Sequence, residues 1–449
     1  HTKDEKKILH NSYNIDKIIC LEEEIKKIFD ADEFNKININ EIEDDISIYT
    51  NKRFKINSSI QNDRTFRYFS YTDSVKLIKI YYHFWSKIIK DYKIDFIFHE
   101  PTSLFMNHIA SILCKKYGAT YVSPIQVYGV SKYNFAFATF DNGNILHVDD
   151  KEIKINNSKI FIENFRKDFS NIFDFYYDKS TNIFKKIIST LTFTSKFIIK
   201  SIINVFLIYR LENKLINHIE NYRLKSSVKF SKVLNFIYYE YIIKYHPFDK
   251  KVKYYFYPLH VEPESVVLYW ADGYYENQTK LILNIAANLP PNHYLYVKDH
   301  PHAGAYRDYI DYLRISEVPN IKIINPKISG KNLINFSQGV FTLNGTAGFE
   351  GILMKKPVFT FGNTFYNSFK YVNKVKNIKD LGNYNFKNQV KFDFNYEIEL
   401  ESFIDKYLSN VYEGFTDYFI DYPKLAGIDE ESNAIIVSKQ FKKFLKIYD

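Results

Sequence analysis

Two pieces of one stretch decide the fold: Tyr294-Leu295-Tyr296-Val297-Lys298-Asp299-His300-Pro301, and Val340-Phe341-Thr342-Leu343-Asn344-Gly345-Thr346-Ala347-Gly348-Phe349-Glu350. The apolar run Leu295 to Val297 reads as a buried strand. It stops at His300, because Pro301 cannot donate to a ladder. The run Gly339 to Leu343 reads as a second strand. It breaks into a turn of small residues, and a helix is expected from about Ala347 to Lys355. Pro357 to Phe361 is a third strand. Strand, turn, helix, strand is a βαβ unit, and ligands of open α/β sheets bind at the carboxyl ends of such strands.

The turn has the composition of a phosphate site. Gly345 and Gly348 permit close approach of backbone. The first amides of the helix lack intrahelical partners and stand at the positive end of its dipole. Thr346 adds a hydroxyl. Glu350, one turn inside, suits the hydroxyls of a ribose, and His300 can donate to the same phosphate. Each residue alone has a plainer explanation: glycines of a tight turn, a solvated helix glutamate, a histidine that ends a strand. Their combination points to a phosphate or nucleotide site.

Working outward, Lys251 to Tyr257 is a strand that ends in Pro258-Leu259-His260-Val261-Glu262-Pro263-Glu264. This loop follows a strand, so His260 and Glu262 are expected to line the same cleft. Asp272, with Gly273, opens a helix that runs to Asn288. Ala303 to Ile315 reads as a helix, Asn320 to Asn325 as a strand and Lys331 to Ser337 as a helix. Residues 250 to 380 therefore alternate strand and helix as a doubly wound domain. Helices around Tyr396 to Tyr412 and Glu430 to Tyr448 are expected to brace the first domain.

A second βαβ-like unit lies in the first half. Apolar residues from Val75 to Ile88 recur at helical spacing, and Ile94 to Phe98 is a short strand. His99 and Glu100 follow at its carboxyl end. A helix from Leu104 to Tyr117 stops at Gly118, and Ala119 to Val122 is the next strand. Glu100 is either a general base or an acid placed favourably at a helix start, and the residues alone do not choose. Asp95, inside the strand, reads as structural. Phe135 to Val148 alternates around the hairpin signal Asp141-Asn142-Gly143-Asn144, with His147 a strand residue. Ile160 to Tyr177 is helical.

The chain has 449 residues, 46% hydrophobic and 25% charged, which is globular composition with room for two or three domains. Tyr and Phe number 39 and 40, a bias that leaves an aromatic stripe little functional weight. Cys20 and Cys114 are the only cysteines; they form no disulfide framework, and no Cys/His spacing fits zinc, so no metal site is expected. A reducing compartment fits.

The formal net charge is +9, and residues 182–232 carry ten basic side chains against Glu212 and Glu220. Apolar residues from Phe184 to Tyr209 alternate with those bases. A basic amphipathic helix lies in a membrane interface or packs on a domain with a solvated basic face; an anionic membrane surface is the favoured partner. No nucleic-acid motif accompanies the charge. No run of 18 uncharged apolar residues occurs, so no transmembrane helix is expected.

Tyr257 to Glu264, Val297 to Pro301, Asn344 to Glu350, Lys356 to Val358 and Phe361-Gly362 together resemble bacterial capsular polysaccharide biosynthesis proteins, a family that contains transferases of 3-deoxy-manno-octulosonic acid (Kdo). The His-Pro pair and the Gly-Thr turn also look like nucleotide-site motifs of bacterial sialyltransferases. The resemblance implies an α/β GT-B glycosyltransferase: two Rossmann-like domains facing a cleft, with a helical basic insertion between them. The implied segments are an acceptor domain (1–160), the basic segment (161–245), a nucleotide-sugar domain (246–385) and terminal helices (386–449).

Carried over, His300 contacts the donor phosphate, with Lys298, Pro301 and Asn344 beside it. Gly345, Thr346, Ala347 and Gly348 bind that phosphate, and Glu350 holds the ribose. Glu100 is the candidate base, with His99 and His260 near the reaction and Glu262 and Asp272 on the substrate. No cofactor is implied; the donor is a nucleotide sugar, CMP-linked for an acidic sugar. The acceptor is an oligosaccharide or lipid-linked glycan. The implied location is cytoplasmic, peripheral on the inner face of the membrane. The alternatives are a transferase of glycerol phosphate or another phosphoryl-linked group, and a nucleotide-sugar-binding assembly protein without turnover.

Overall fold

The computed structural model describes residues 19–139, 145–146, 157–167, 183–211, 213–228, 231–262, 266–271, 277–300, 307–384, 392–417 and 426–448. Pro301, Asp272, His147 and the turn 141–144 lie outside the described residues. The chain forms two compact units: unit 1 comprises residues 1–121 and 182–230, and unit 2 comprises residues 122–181 and 231–449. Each is built from two separated pieces of chain, whereas the sequence suggested consecutive blocks.

Unit 1 is mostly helical. Helices Tyr71–Asp91 and Phe105–Tyr117 pack through Leu77, Ile78 and Tyr81 on one and Phe105, Ile109 and Ile112 on the other, all buried. Strand β1 (Phe96–Phe98) runs between them in sequence. Helix Phe105–Tyr117 has no side-chain cap at Leu104. Instead, buried Asp63 accepts the amides of Thr65 at 2.6 Å, Phe66 at 3.3 Å and Phe105. The helix stops at Gly118, whose φ of +80° is costly for any residue with a Cβ. Strand β2 (Thr120–Val127) starts beside β1, with the Thr120 amide donating to the Asp95 carbonyl at 2.8 Å. The expected strand–helix–strand unit is therefore present.

Helix Ile183–Arg210 has 28 residues and is about 42 Å long. It packs on helix His218–Ser227, yet Ile199, Ile202, Val205, Phe206 and Tyr209 are more than half exposed. Its Thr192–Arg210 portion, 19 residues of mean hydropathy 1.3, is long and apolar enough to cross a membrane by length and composition. The sequence expectation of no transmembrane helix rested on the charges in this run. Lys196 and Lys200 interrupt the uncharged run, but they are the only charges between residues 192 and 209.

Unit 2 holds most of β2 and strand β3 (Asn134–Thr139), which pair antiparallel. Ile145 bridges back to Ala138. The main sheet has six parallel strands: β4 (Tyr254–Pro258), β5 (Tyr294–Lys298), β6 (Ile321–Ile324), β7 (Val340–Thr342), β8 (Val358–Thr360) and β9 (Val372–Lys374). Their order is β6-β5-β4-β7-β8-β9. Alternate side chains enter opposite faces. Tyr255, Tyr257, Leu295, Val297 and Phe341 pack with Leu281, Ile282 and Ile285 of helix Gln278–Asn288. Tyr254, Phe256, Tyr296 and Val340 pack with Leu333 and Ile334 of helix Gly330–Phe336. Both faces are covered, so the strands read as unbroken apolar runs. Each such aliphatic side chain contributes about 1.5–3 kcal/mol on burial.

Strand β10 (Val411–Glu413) adds antiparallel to β3. Helix Phe394–Leu408, capped by Asp393, buries Leu400, Ile404 and Tyr407 with Phe349, Ile352 and Leu353. Helix Glu430–Tyr448 sets Phe441 and Phe444 against Phe137, with ring centroids 4.8 and 4.1 Å apart. Both terminal helices thus help build unit 2.

Candidate functional site

In the six-stranded sheet the chain runs outward from β4 to β5 and β6, then returns to β7 on the other side of β4. The crevice at the carboxyl ends of β4 and β7 is the switch point of the topology, where ligands of such sheets sit. The chain brings His260 there after β4, Lys298 and His300 at the end of β5, and Asn344, Gly345 and Thr346 after β7.

Gly345 is the N-cap of helix Thr346–Leu353, and the cap carries no side-chain bond. The amides of Thr346 and Ala347 have no acceptor inside their own helix. Thr346 is exposed and Ala347 half-buried, so this end of the helix is reachable. The Gly345 amide donates to Thr342 Oγ1 at 3.1 Å, and His260 Nε2 lies 3.5 Å from the same hydroxyl. A Cβ on Gly345 would stand 2.8 Å from His260 Cε1. At Gly348 a Cβ would collide with Tyr366 Oη, and that hydroxyl donates to the Gly345 carbonyl at 2.6 Å. Both glycines therefore make room for side chains of this chain itself.

Burial pushes the His260 imidazole down to about 3, helped by the charges of His300 and Arg307. At neutral pH it is an uncharged ring. Its backbone is held on both sides: the amide donates to Gln278 Oε1 at 2.9 Å, and the carbonyl accepts Gln278 Nε2 at 3.0 Å and Arg307 Nη2 at 2.7 Å.

Arg307 is the centre of this scaffold, and nothing in the sequence marks it. Its buried guanidinium lies 3.1 Å from Asp299 Oδ2 and 3.2 Å from Glu262 Oε2. Burial pulls its pKa down, but Asp299 and Glu262 outweigh that and the net shift is upward. Asp299 also accepts the Tyr312 hydroxyl and, at 2.7 Å, the His300 amide. Glu262 further accepts Gln278 Nε2 at 2.6 Å. The carboxylate expected on the substrate is thus tied into the loop scaffold that sets His260 and His300. The one available sequence signal was Asp299: an acid directly after a buried strand needs a cation.

Glu350 is buried and accepts the Tyr128 hydroxyl at 2.8 Å. Burial raises its pKa; the Tyr128 bond and the nearby Lys331 and Lys298 oppose the rise. Lys331 Nζ stands 3.8 Å from the Phe165 ring centroid and 5.7 Å from that of Tyr128. The structure thus gives the glutamate assigned to a ribose an internal tyrosine partner. Lys298 and Asn344 are also buried.

In unit 1, exposed Glu100 accepts Ser103 Oγ at 2.6 Å and Asn107 Nδ2 at 3.3 Å, and Tyr121 donates to its carbonyl at 3.2 Å. Asn107 Nδ2 also lies 3.3 Å from His99 Nδ1. Burial lowers the His99 pKa, with the Glu100 charge acting against it. Among the described residues no group of three or more His, Cys, Asp or Glu is placed to hold a metal ion.

Residues 208–370 match the family described as capsule polysaccharide biosynthesis protein. The motifs from Tyr257 to Tyr366 fall wholly inside that span, which also holds the switch point and its histidines. No curated protein matches the chain significantly. Among solved structures, the chain is similar to the beta Kdo 2,4 transferase KpsC of Thermosulfurimonas dismutans, at 13% identity over 71% of this chain and 80% of that one, with a TM-score of 0.34. It is also similar to the beta Kdo 2,7 transferase KpsC of the same organism, at 17% identity over 42% of this chain and 56% of that one, TM-score 0.26. UDP-GlcNAc 2-epimerase from Methanocaldococcus jannaschii matches at 14% identity over 70% and 75%, TM-score 0.25.

Proposed function

We propose that this chain is a metal-independent GT-B glycosyltransferase that moves a sugar, an acidic one such as Kdo, from a CMP-linked donor to a growing capsular or other surface polysaccharide. One observation carries the proposal: the family-matched span 208–370 folds into a switch point with two histidines and an uncapped, reachable helix start. In this scheme the amides of Thr346 and Ala347 and the His300 side chain hold the donor phosphate and stabilise it as it leaves. His260, neutral and seated by Gln278 and Arg307, offers an imidazole nitrogen to the same group. Glu100 is the proposed base toward the acceptor hydroxyl.

The test is thermal shift against CMP, UDP and GDP. One nucleotide should stabilise the protein, and His300→Ala should abolish that gain while leaving the ligand-free midpoint in place. No stabilisation by any of the three sinks the proposal. Mass spectrometry of the product identifies the transferred group, since phosphorus in the added mass would mean phosphoryl-linked transfer.

The proposed location is cytoplasmic, on the inner face of the membrane, with helix Ile183–Arg210 along the interface. Chain topology supports lying over spanning. Residues 68–73 precede this helix and residues 211–225 follow it, yet both belong to unit 1, where Lys225 Nζ donates to the Tyr68 carbonyl at 3.3 Å. A single crossing would separate them, and no second helix among the described residues is long and apolar enough to return the chain.

A further inference from the structure

Asn107 is the third residue of helix Phe105–Tyr117, and its side chain bonds outside that helix. Helical side chains lean toward the N-terminus, so the Asn107 amide reaches back over the loop that leaves β1. There Nδ2 lies 3.3 Å from Glu100 Oε1 and 3.3 Å from His99 Nδ1. Ser103 Oγ donates to the same carboxylate oxygen at 2.6 Å, and the Tyr121 hydroxyl holds the Glu100 carbonyl at 3.2 Å. Asn107 and Ser103 are buried, whereas Glu100 is exposed. Two buried donors thus grip one oxygen of the carboxylate. The other, Oε2, has no bond among the described residues.

The fold gives something up to keep an amide here. Asn107 Oδ1 is buried without a partner among the described residues. Buried polar atoms are normally bonded, and an apolar residue of similar size would avoid the loss. An amide retained against its own bonding needs points to a task for Nδ2.

Elementary chemistry defines that task. An ionised carboxylate only accepts, so the nitrogen of the amide, not its oxygen, faces Glu100. That nitrogen has two hydrogens, one for Oε1 and one for His99 Nδ1. Nδ1 is therefore the accepting nitrogen of the ring. Burial favours the uncharged imidazole, so its single proton sits on Nε2. One amide decides which carboxylate oxygen stays open and which imidazole nitrogen carries the proton.

We propose that Asn107 is the positioning residue of unit 1: it ties down Glu100 Oε1 so that Oε2 takes the proton of the acceptor hydroxyl, and it locks His99 with its proton on Nε2. The carboxylate half rests on Glu100 as the base in the proposed function. The His99 half does not, and it is read without turnover.

The first experiment is an imidazole nitrogen NMR spectrum of the full chain labelled at histidine, with His99→Gln assigning the ring. The wild type should show a bare Nδ1 and a protonated Nε2. Asn107→Asp keeps the shape but replaces the donor by an acceptor, so it should move the proton to Nδ1. A wild-type ring protonated on Nδ1, or a folded Asn107→Asp protein with the wild-type tautomer, would overturn the proposal. The second experiment measures kcat and KM by CMP release from CMP-Kdo, with a Kdo-terminated oligosaccharide as acceptor. Asn107→Leu should lower kcat about 100-fold, the scale of a lost alignment at a reacting group, and leave the donor KM within about twofold. Asn107→Asp should lose kcat similarly and covers the case in which the leucine variant fails to fold. Glu100→Gln should lose about 100-fold or more. The double variant Glu100→Gln, Asn107→Leu should be no slower than Glu100→Gln alone, because Asn107 acts through that carboxylate. Losses that multiply, or a folded Asn107→Leu protein with the wild-type kcat, would overturn the positioning role. Glu100→Gln at the wild-type rate would overturn the base assignment and the carboxylate half with it, while the His99 half stands or falls by the spectrum.

Discussion

Arg307 and Asn221 are both fully buried polar side chains, and they meet opposite fates. Arg307 finds two carboxylates and a carbonyl, and through them it fixes the loops after β4 and β5. Asn221 finds no partner among the described residues. In unit 2 the polar groups at the sheet edge are consumed in holding the histidines in place. In unit 1 the outcome is uneven: Asp63 is spent on the amides of Thr65, Phe66 and Phe105, while the Asn221 amide stays unbonded among the described residues. A preorganised site needs its supports satisfied in advance.

The sharpest way to break that contrast is to remove the clamp. Arg307→Met keeps most of the stem volume but leaves Asp299 buried without its cation. The expected loss is about 3–5 kcal/mol in denaturant unfolding, the range for breaking one side of a buried pair. A loss under 1 kcal/mol would mean that Tyr312 and the His300 amide suffice for Asp299.

A second test titrates unit 1. Burial pushes His218 down to about 4 from an unperturbed 6.5, and the ring is bonded to the Tyr81 hydroxyl. The unfolded state binds a proton below pH 6.5 that the folded state refuses until about pH 4. Stability therefore falls as pH drops through that window, by about 3 kcal/mol from this residue. His260 adds a loss of the same sign reaching down to about pH 3. Asp63 and Glu350, raised by burial, act oppositely: they weaken the fold as pH rises through their folded pKa values. In His218→Asn the stability difference between pH 7 and pH 4 should shrink by about 3 kcal/mol; an unchanged pH profile would show the ring is not titrating there.

The parallel sheet was legible because its signals are local. Leu295 to Val297 is apolar and ends at a proline, and the small-residue turn at Gly345 announces a helix start. Each strand from β4 to β8 carries such a run with its breaker. The supports were not legible, because they are partnerships across sequence. Tyr128 lies 222 positions from Glu350, and no periodicity links them. Strand β10 has three residues, too few to show alternation. Gly348 reads as room for a ligand, yet it is Tyr366 that fills the space. Local sequence names the residue type a position tolerates; only packing names the neighbour.

Tyr128→Phe isolates one of those distant partnerships. It removes a bond to a buried carboxylate and should cost about 1.5–3 kcal/mol. The Tyr128 bond holds the Glu350 pKa down against burial, so its loss should raise that pKa further. The destabilisation should accordingly be larger at pH 8 than at pH 5. If the cost is the same at both, the protonation state of Glu350 does not change between them.

Gly345→Ala has the smallest expected effect and bears most directly on the site. The backbone at Gly345, φ −74°, accepts any residue, so strain is not the issue. The added methyl would stand 2.8 Å from His260 Cε1 and 3.2 Å from Thr342 Oγ1, and the imidazole must yield. A cost of about 1 kcal/mol is expected, at the low end for overpacking, because a side chain rather than backbone gives way. If His260 is the group that moves, Gly345→Ala should cost almost nothing in a His260→Ala background, and the coupling in the double-mutant cycle should account for nearly the whole single-mutant effect. Additive costs would place the conflict at Thr342 instead. The same pair reads the nucleotide site: a methyl that displaces His260 should weaken nucleotide stabilisation in the wild-type background and leave it unaffected where His260 is already absent.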